Sequence, residues 1–191
     1  SAELERDVLI QNDTIVEGAV YARKLEIQNG DVEIGGAVFT KLECHISNGA
    51  KGNIILRKTV ATSDSLVSYA RDCRLMFMAD INGKTVKLCN AFVAGSIFAD
   101  EVVLEDCIVL GGVFATAKLN MKDCIVGTFN AKTVAVSGDI KLLLPSAFSG
   151  EEMQVMSEAR LFNLSLADLG ALYAGMPEME NTGIIEMNTY S

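Results

Sequence analysis

The chain has 191 residues, half of them hydrophobic, with 16 basic and 25 acidic side chains and a net charge of −9. That balance excludes a disordered chain, leaves room for one substantial domain with an appendage, and is a poor electrostatic match to nucleic acid. No apolar run approaches the length of a membrane span, and the opening Ser1-Ala2-Glu3-Leu4-Glu5-Arg6 is charged rather than a signal core.

From about Asp7 a short pattern recurs: Gly, a small residue, Val or Ile, an aromatic, then Ala or Thr. It reads Gly18-Ala19-Val20-Tyr21-Ala22, Gly36-Ala37-Val38-Phe39-Thr40, Gly95-Ser96-Ile97-Phe98-Ala99 and Gly111-Gly112-Val113-Phe114-Ala115, with a degenerate fifth copy at Val126-Gly127-Thr128-Phe129-Asn130. Alternating apolar pairs follow each copy, as at Leu25/Ile27, Val102/Leu104 and Val134/Val136. A period of about 17 residues suits three short strands joined by tight corners, each lap stacking on the last at roughly 4.8 Å. Glycine reaches the backbone angles that corners need, and the two prolines are few because interior strands must donate to their neighbours. The expected fold is all-β: a parallel β-solenoid of about eight coils over residues 7–144. A β-sandwich is the rival, since Asn29-Gly30, Asn48-Gly49 and Asn82-Gly83 are hairpin signals, but it does not explain whole motifs recurring in one order. Lys51 to Asp80 fits the repeat poorly and predicts a distorted coil or bulging loop.

A second marker is Asp72-Cys73, Asp106-Cys107 and Asp123-Cys124, with Cys89 filling the missing step. Cys73, Cys89, Cys107 and Cys124 step by 16, 18 and 17 residues, which predicts one stacked column of free thiols inside the core, in a reducing cytoplasm. If Val20 and Ala22 point inward, Tyr21 points outward, and the same parity exposes Phe39, Phe98, Phe114 and Phe129. Such a row is covered by the C-terminal segment, or by a partner, or the parity is reversed and the rings fill the core.

After Pro145 the pattern changes. Ser149-Gly150-Glu151-Glu152 reads as a capping box opening a helix to about Asn163, and Ser165-Leu166-Ala167-Asp168 as the start of a second helix ending at Gly175. Residues 145–191 are thus expected to form a small helical appendage that caps the solenoid or, through its methionines, meets a partner.

Chemistry-bearing groups are sparse. The single histidine, His45, could serve a solenoid acyltransferase working at a subunit interface, but no hexapeptide rhythm accompanies it. One histidine does not make the three-histidine zinc site of solenoid carbonic anhydrases, and no CxxC, P-loop or dinucleotide fingerprint occurs, so neither metal nor cofactor is expected.

The run Gly95-Ser96-Ile97-Phe98-Ala99-Asp100-Glu101-Val102-Val103-Leu104, with its counterparts over about residues 7–140, resembles the bactofilins, polymer-forming bacterial cytoskeletal proteins. The resemblance implies a right-handed, three-sided β-helix without nucleotide or metal. It implies a non-enzymatic scaffold that assembles end to end through terminal coils and positions envelope-associated proteins, in the cytoplasm or held at the membrane through partners. A helical tail is foreign to that family and would block one end. Self-association through the first coil, around Val8, Ile10, Ile15 and Val16, would then give a two-fold dimer. A carbohydrate- or protein-binding module using the aromatic row is the further alternative.

Overall fold

The computed structural model describes residues 2–143, 149–155 and 160–163. They form an all-β parallel solenoid of about eight coils in which every strand pairing is parallel. Each lap contributes to three ladders. The first ladder stacks Val20, Val38, Val60, Ile81, Ile97 and Val113. The second stacks Val8, Leu25, Cys44, Leu66, Val86, Val102 and Leu119. The third stacks Val16, Ile34, Leu56, Phe77 and Val93. These columns point inward and merge into one continuous core, Val8 and Val16 in the first coil being only partly buried against it. Alternation then sends the intervening residues outward.

The corners are held by side chains that bond the backbone of the next lap. The Ser96 N–H donates to Asp80 Oδ1 (2.8 Å) and the Gly112 N–H to Ser96 Oγ (3.0 Å). The Asn53 N–H donates to Asp31 Oδ1 (2.8 Å) and the Asp139 N–H to Asp123 Oδ1 (2.9 Å). Where the second side turns into the third, Asn90, Asp106 and Asp123 take positive φ of 49°, 53° and 52°, a region Asn and Asp tolerate better than other side chains. At the corner before the first side, the Gly111 N–H donates to Gly95 O (3.0 Å), and a Cβ on Gly111 would collide with Gly95 O and Ser96 Oγ. Glycine is required there by close approach between laps.

The poor fit of residues 51–80 has a simple cause. Strands Gly52–Leu56, Val60–Thr62, Ser65–Ser68 and Cys73–Phe77 all keep register with the laps on either side. The extra residues sit at one corner, between the second and third sides. Inner residues Leu104 and Cys107 are three apart across it, whereas Ile46 and Ile54 are eight apart and Ser68 and Leu75 seven. The bulges are therefore near residues 47–51 and 69–72.

Three expectations need correction. Residues 149–155 and 160–163 are strands rather than a capped helix: Ser149–Val155 pairs with 130–136, and Arg160–Asn163 with 139–142. Met153 falls in register with Val134 and Leu161 with Ile140, so a further lap pairs the backbone edge that a helix would leave open. The second expected helix, at 165–175, lies outside the described residues.

The second correction concerns Phe129, which is fully buried in the core. Earlier laps read Val-x-Gly-x-Val/Ile, as in Val93-Ala94-Gly95-Ser96-Ile97 and Val109-Leu110-Gly111-Gly112-Val113. The later one reads Val126-Gly127-Thr128-Phe129, one residue shorter. A Cβ on Gly127 would meet Gly111 O, so these glycines stack, which places Phe129 on Val113 and Asn130 on Phe114. A one-residue slip exchanges the inward and outward sets.

The third concerns the cysteines. Cys107 and Cys124 are on adjacent laps, with the Ile125 N–H donating to Cys107 O (2.9 Å). Cys89, however, is in register with Glu105, and Cys73 with Gly52. The column beneath Cys107 is Ala91 and then Leu75, because Asn90-Ala91 is the corner equivalent of Asp106-Cys107.

Candidate functional site

Of the two parities the sequence left open, the structure adopts the one that puts the aromatic row on the outside of the first side, for four of its five rings. The outward row runs Tyr21, Phe39, Ala61, Asn82, Phe98, Phe114. It holds two stacked pairs rather than one continuous column. Tyr21 and Phe39 have ring centroids 5.2 Å apart at 10°, and Phe98 and Phe114 are 5.2 Å apart at 19°. Tyr21 is 48% and Phe114 36% exposed, so the pairs cover one another in part and leave the rest to solvent. Beside Phe98 and Phe114 runs an open groove lined by Asn82, Lys84, Asp100, Thr116 and Asn130. Thr116 Oγ1 donates to Asp100 Oδ1 (2.8 Å), which fixes the carboxylate along the groove floor. Apolar ring edges next to hydrogen-bonding groups can receive an amphipathic ligand.

The third side carries a second outward apolar row, which sequence reading missed. Ile55, Met76, Phe92 and Ile108 are in register, and the first three are buried in a cluster separate from the core, with Met78, Ala94, Leu110 and Leu143 against it. The signal was present as consecutive apolar residues where alternation should bring a polar one: Ile54-Ile55-Leu56, Leu75-Met76-Phe77 and Ala91-Phe92-Val93.

The first coil forms one end. Residues Ala2–Glu5 make a 3₁₀ turn that occupies the first side, while Asp7–Ile10 and Thr14–Val16 form the other two sides. Among the described residues those two strands pair only with the lap above, Val20–Ile27 and Val32–Ile34, so their other edges are open. Of the residues expected to assemble, Ile10 is buried, Val8 and Val16 pack partly against the core, and Ile15 is 75% exposed; Leu9 is exposed beside them. Ion pairs fasten this coil to the next laps, Arg23 to Asp7 (2.8 Å) and Lys41 to Glu5 (2.7 Å). These cations hold both carboxyls below the usual carboxylate range, first through the hydrogen bond and then through charge.

His45 lies in an outward row between Glu26 and Val67. Its Nδ1 is 4.0 Å from Glu26 Oε1, which instead accepts a hydrogen bond from Ser47 Oγ (2.9 Å). All five thiols are free and buried. Burial pushes Cys44 and Cys124 up to about 12 and Cys107 higher still, so these sulfurs are held as neutral thiols. Among the described residues no three His, Cys, Asp or Glu side chains gather as a metal site would need, and no helix is long and apolar enough to cross a membrane.

Comparison with protein-family models, with curated proteins and with solved structures gave no match for this chain.

Proposed function

We propose that the protein is a non-enzymatic scaffold of bactofilin-like type that self-associates through its first coil. One observation carries this reading: among the described residues the strands Asp7–Ile10 and Thr14–Val16 leave two of three ladder edges unpaired, beside the exposed side chains of Leu9 and Ile15. An open strand edge with apolar neighbours is a template for pairing with another chain. The 3₁₀ turn at Ala2–Glu5 removes the first ladder from that contact, which favours a closed pair over an indefinite fibre.

Residues 1–17 carry five acids (Glu3, Glu5, Asp7, Asp13, Glu17) against one base (Arg6). Arg23 and Lys41 neutralise Asp7 and Glu5, and the remaining excess of Glu3, Asp13 and Glu17 over Arg6 makes two such ends repel weakly, so association through them strengthens as salt screens the charge. Sedimentation velocity of the full chain, across roughly a hundredfold range of concentration, tests the reading. Wild type should shift from monomer to dimer, more so at high salt, and Leu9→Glu with Ile15→Glu should stay monomeric. A wild-type chain that remains monomeric throughout overturns it. Partners that such a scaffold would position include envelope-associated proteins, in keeping with the family resemblance.

The groove beside Phe98 and Phe114 favours a second reading, a carbohydrate- or protein-binding module. Binding to soluble polysaccharides should then disappear in Phe98→Ser with Phe114→Ser while the melting temperature stays close to wild type.

A further inference from the structure

The groove beside Phe98 and Phe114 extends well beyond these two rings. It begins beside Ser63 and continues past Thr116 and Asn130 to Lys132 and Glu151, on the last described lap. Five lap steps at roughly 4.8 Å make about 24 Å, parallel to the solenoid axis. Each lap puts one side chain on either wall. One wall is the outward first-side row Asn82, Phe98, Phe114 and Asn130. The other, two residues further along each lap, is Lys84, Asp100, Thr116 and Lys132. There the Asp100 N–H donates to Lys84 O (3.0 Å) and Thr116 Oγ1 to Asp100 Oδ1 (2.8 Å).

Walls that repeat lap by lap suit a linear polymer with a similar repeat. Three observations select its class. The charged side chains that line the groove balance, Lys84 and Lys132 against Asp100 and Glu151, so a polyanion or polycation finds no surplus of opposite charge. The floor offers no free backbone edge. Strand Ile97–Glu105 pairs with Ile81–Asn82 and Thr85–Cys89 on one side and with 113–122 on the other, which leaves an extended peptide no ladder to join.

The third observation is the mixture of surfaces. The aromatic centre is open, Phe98 being 42% exposed. Around it stand carboxamides at Asn82 and Asn130, a hydroxyl at Thr116, an ammonium at Lys84 and a carboxylate at Asp100, which together donate and accept. Among the described residues the side chains of Asn82 and Lys84 make no hydrogen bond or ion pair. Sugars carry the matching surface: CH-rich ring faces that pack on aromatic rings, and rims of hydroxyls that both donate and accept. In an extended chain of equatorially linked pyranoses, each sugar advances by nearly one lap.

We infer that this groove binds an uncharged, extended glycan lying along the solenoid axis, about five sugars long. The central sugars pack on Phe98 and Phe114, and the flanking hydroxyls meet Asn82, Lys84, Asp100 and Asn130. The inference rests on the second reading above, the groove as a binding module, and is independent of association through the first coil.

Isothermal titration of the full chain with cello- and chito-oligosaccharides, from dimers to hexamers, tests it. Affinity for one of these series should rise with length, level off at about five sugars and stay the same from low to high salt. Phe98→Ser with Phe114→Ser should abolish binding. Asn82→Ala with Lys84→Ala, both at exposed positions, should weaken it about tenfold with the melting temperature retained. Failure of both series to bind overturns the inference. Binding confined to polygalacturonate, or lost as salt is raised, marks a charged glycan and overturns it as well. A peptide array separates that failure from failure of the underlying reading. Peptides held by wild type and released by the Phe98, Phe114 double variant would keep the binding module and exclude the glycan, whereas silence from glycans and peptides alike would remove both.

Discussion

Two outward rows run along this solenoid, and their fates differ. On the first side Tyr21, Phe39, Phe98 and Phe114 stack in pairs and remain about half exposed, while on the third side Ile55, Met76 and Phe92 are sealed. Both rows follow from the same alternation, and both are apolar. The difference lies in the neighbours. The first-side row is broken by Ala61 and Asn82 and bordered by Lys84, Asp100 and Thr116, which keep it wet. The third-side row joins a second apolar column, Met78, Ala94 and Leu110, whose side chains pack against it. Apolar content alone therefore does not tell an exposed row from a buried one; the width and continuity of the patch do.

Truncation gives the largest contrast. Phe92→Ala should cost about 3–5 kcal/mol in urea unfolding, as for a buried ring, while Phe98→Ala should stay within about 1 kcal/mol. Equal losses would erase the distinction between the rows. Next comes pH, which probes the interior that both rows enclose. Cys44 and Cys124 are raised from 9.0 to about 12 by burial, and Cys107 is raised likewise. A thiol raised in the folded state contributes full stability below its unfolded value and loses it as pH rises through the folded one. Unfolding free energy should thus fall between about pH 9 and 12, by about 1.4 kcal/mol per thiol per pH unit. Guanidinium titrations of wild type and Cys44→Ala, compared across that range, check the slope, which should be shallower in the variant. The smallest effect belongs to the corners: Asp80→Ala deprives the Ser96 N–H of its acceptor and should cost about 1 kcal/mol by thermal melting, without altering either row.

Much of the architecture was legible in the sequence. The recurrence of Gly-x-Val/Ile-aromatic-Ala marks the first-side strands because that corner keeps constant length from Val20 to Val113, so motif spacing and lap spacing agree. Reading failed where length varied. One residue missing after Val126 turned Phe129 inward, and a corner of changing size made Cys73 and Cys89 look like members of the Cys107–Cys124 column. The capping-box pattern at Ser149 was overruled by the open ladder above 130–136, which offered the same residues a full set of backbone partners.

By itself the sequence determined the coil, its period and the alternation along each strand, because alternation and glycine corners are local rules repeated many times; that Tyr21, Phe39, Phe98 and Phe114 face outward was decided by the structure. Only the tertiary structure decided which side chains share a column across unequal corners, which outward row is dry, and that the chain after Val126 changes parity. Those outcomes depend on residues some 16 to 22 positions apart meeting through stacked laps, and a local pattern carries no measure of how long the corner between them is.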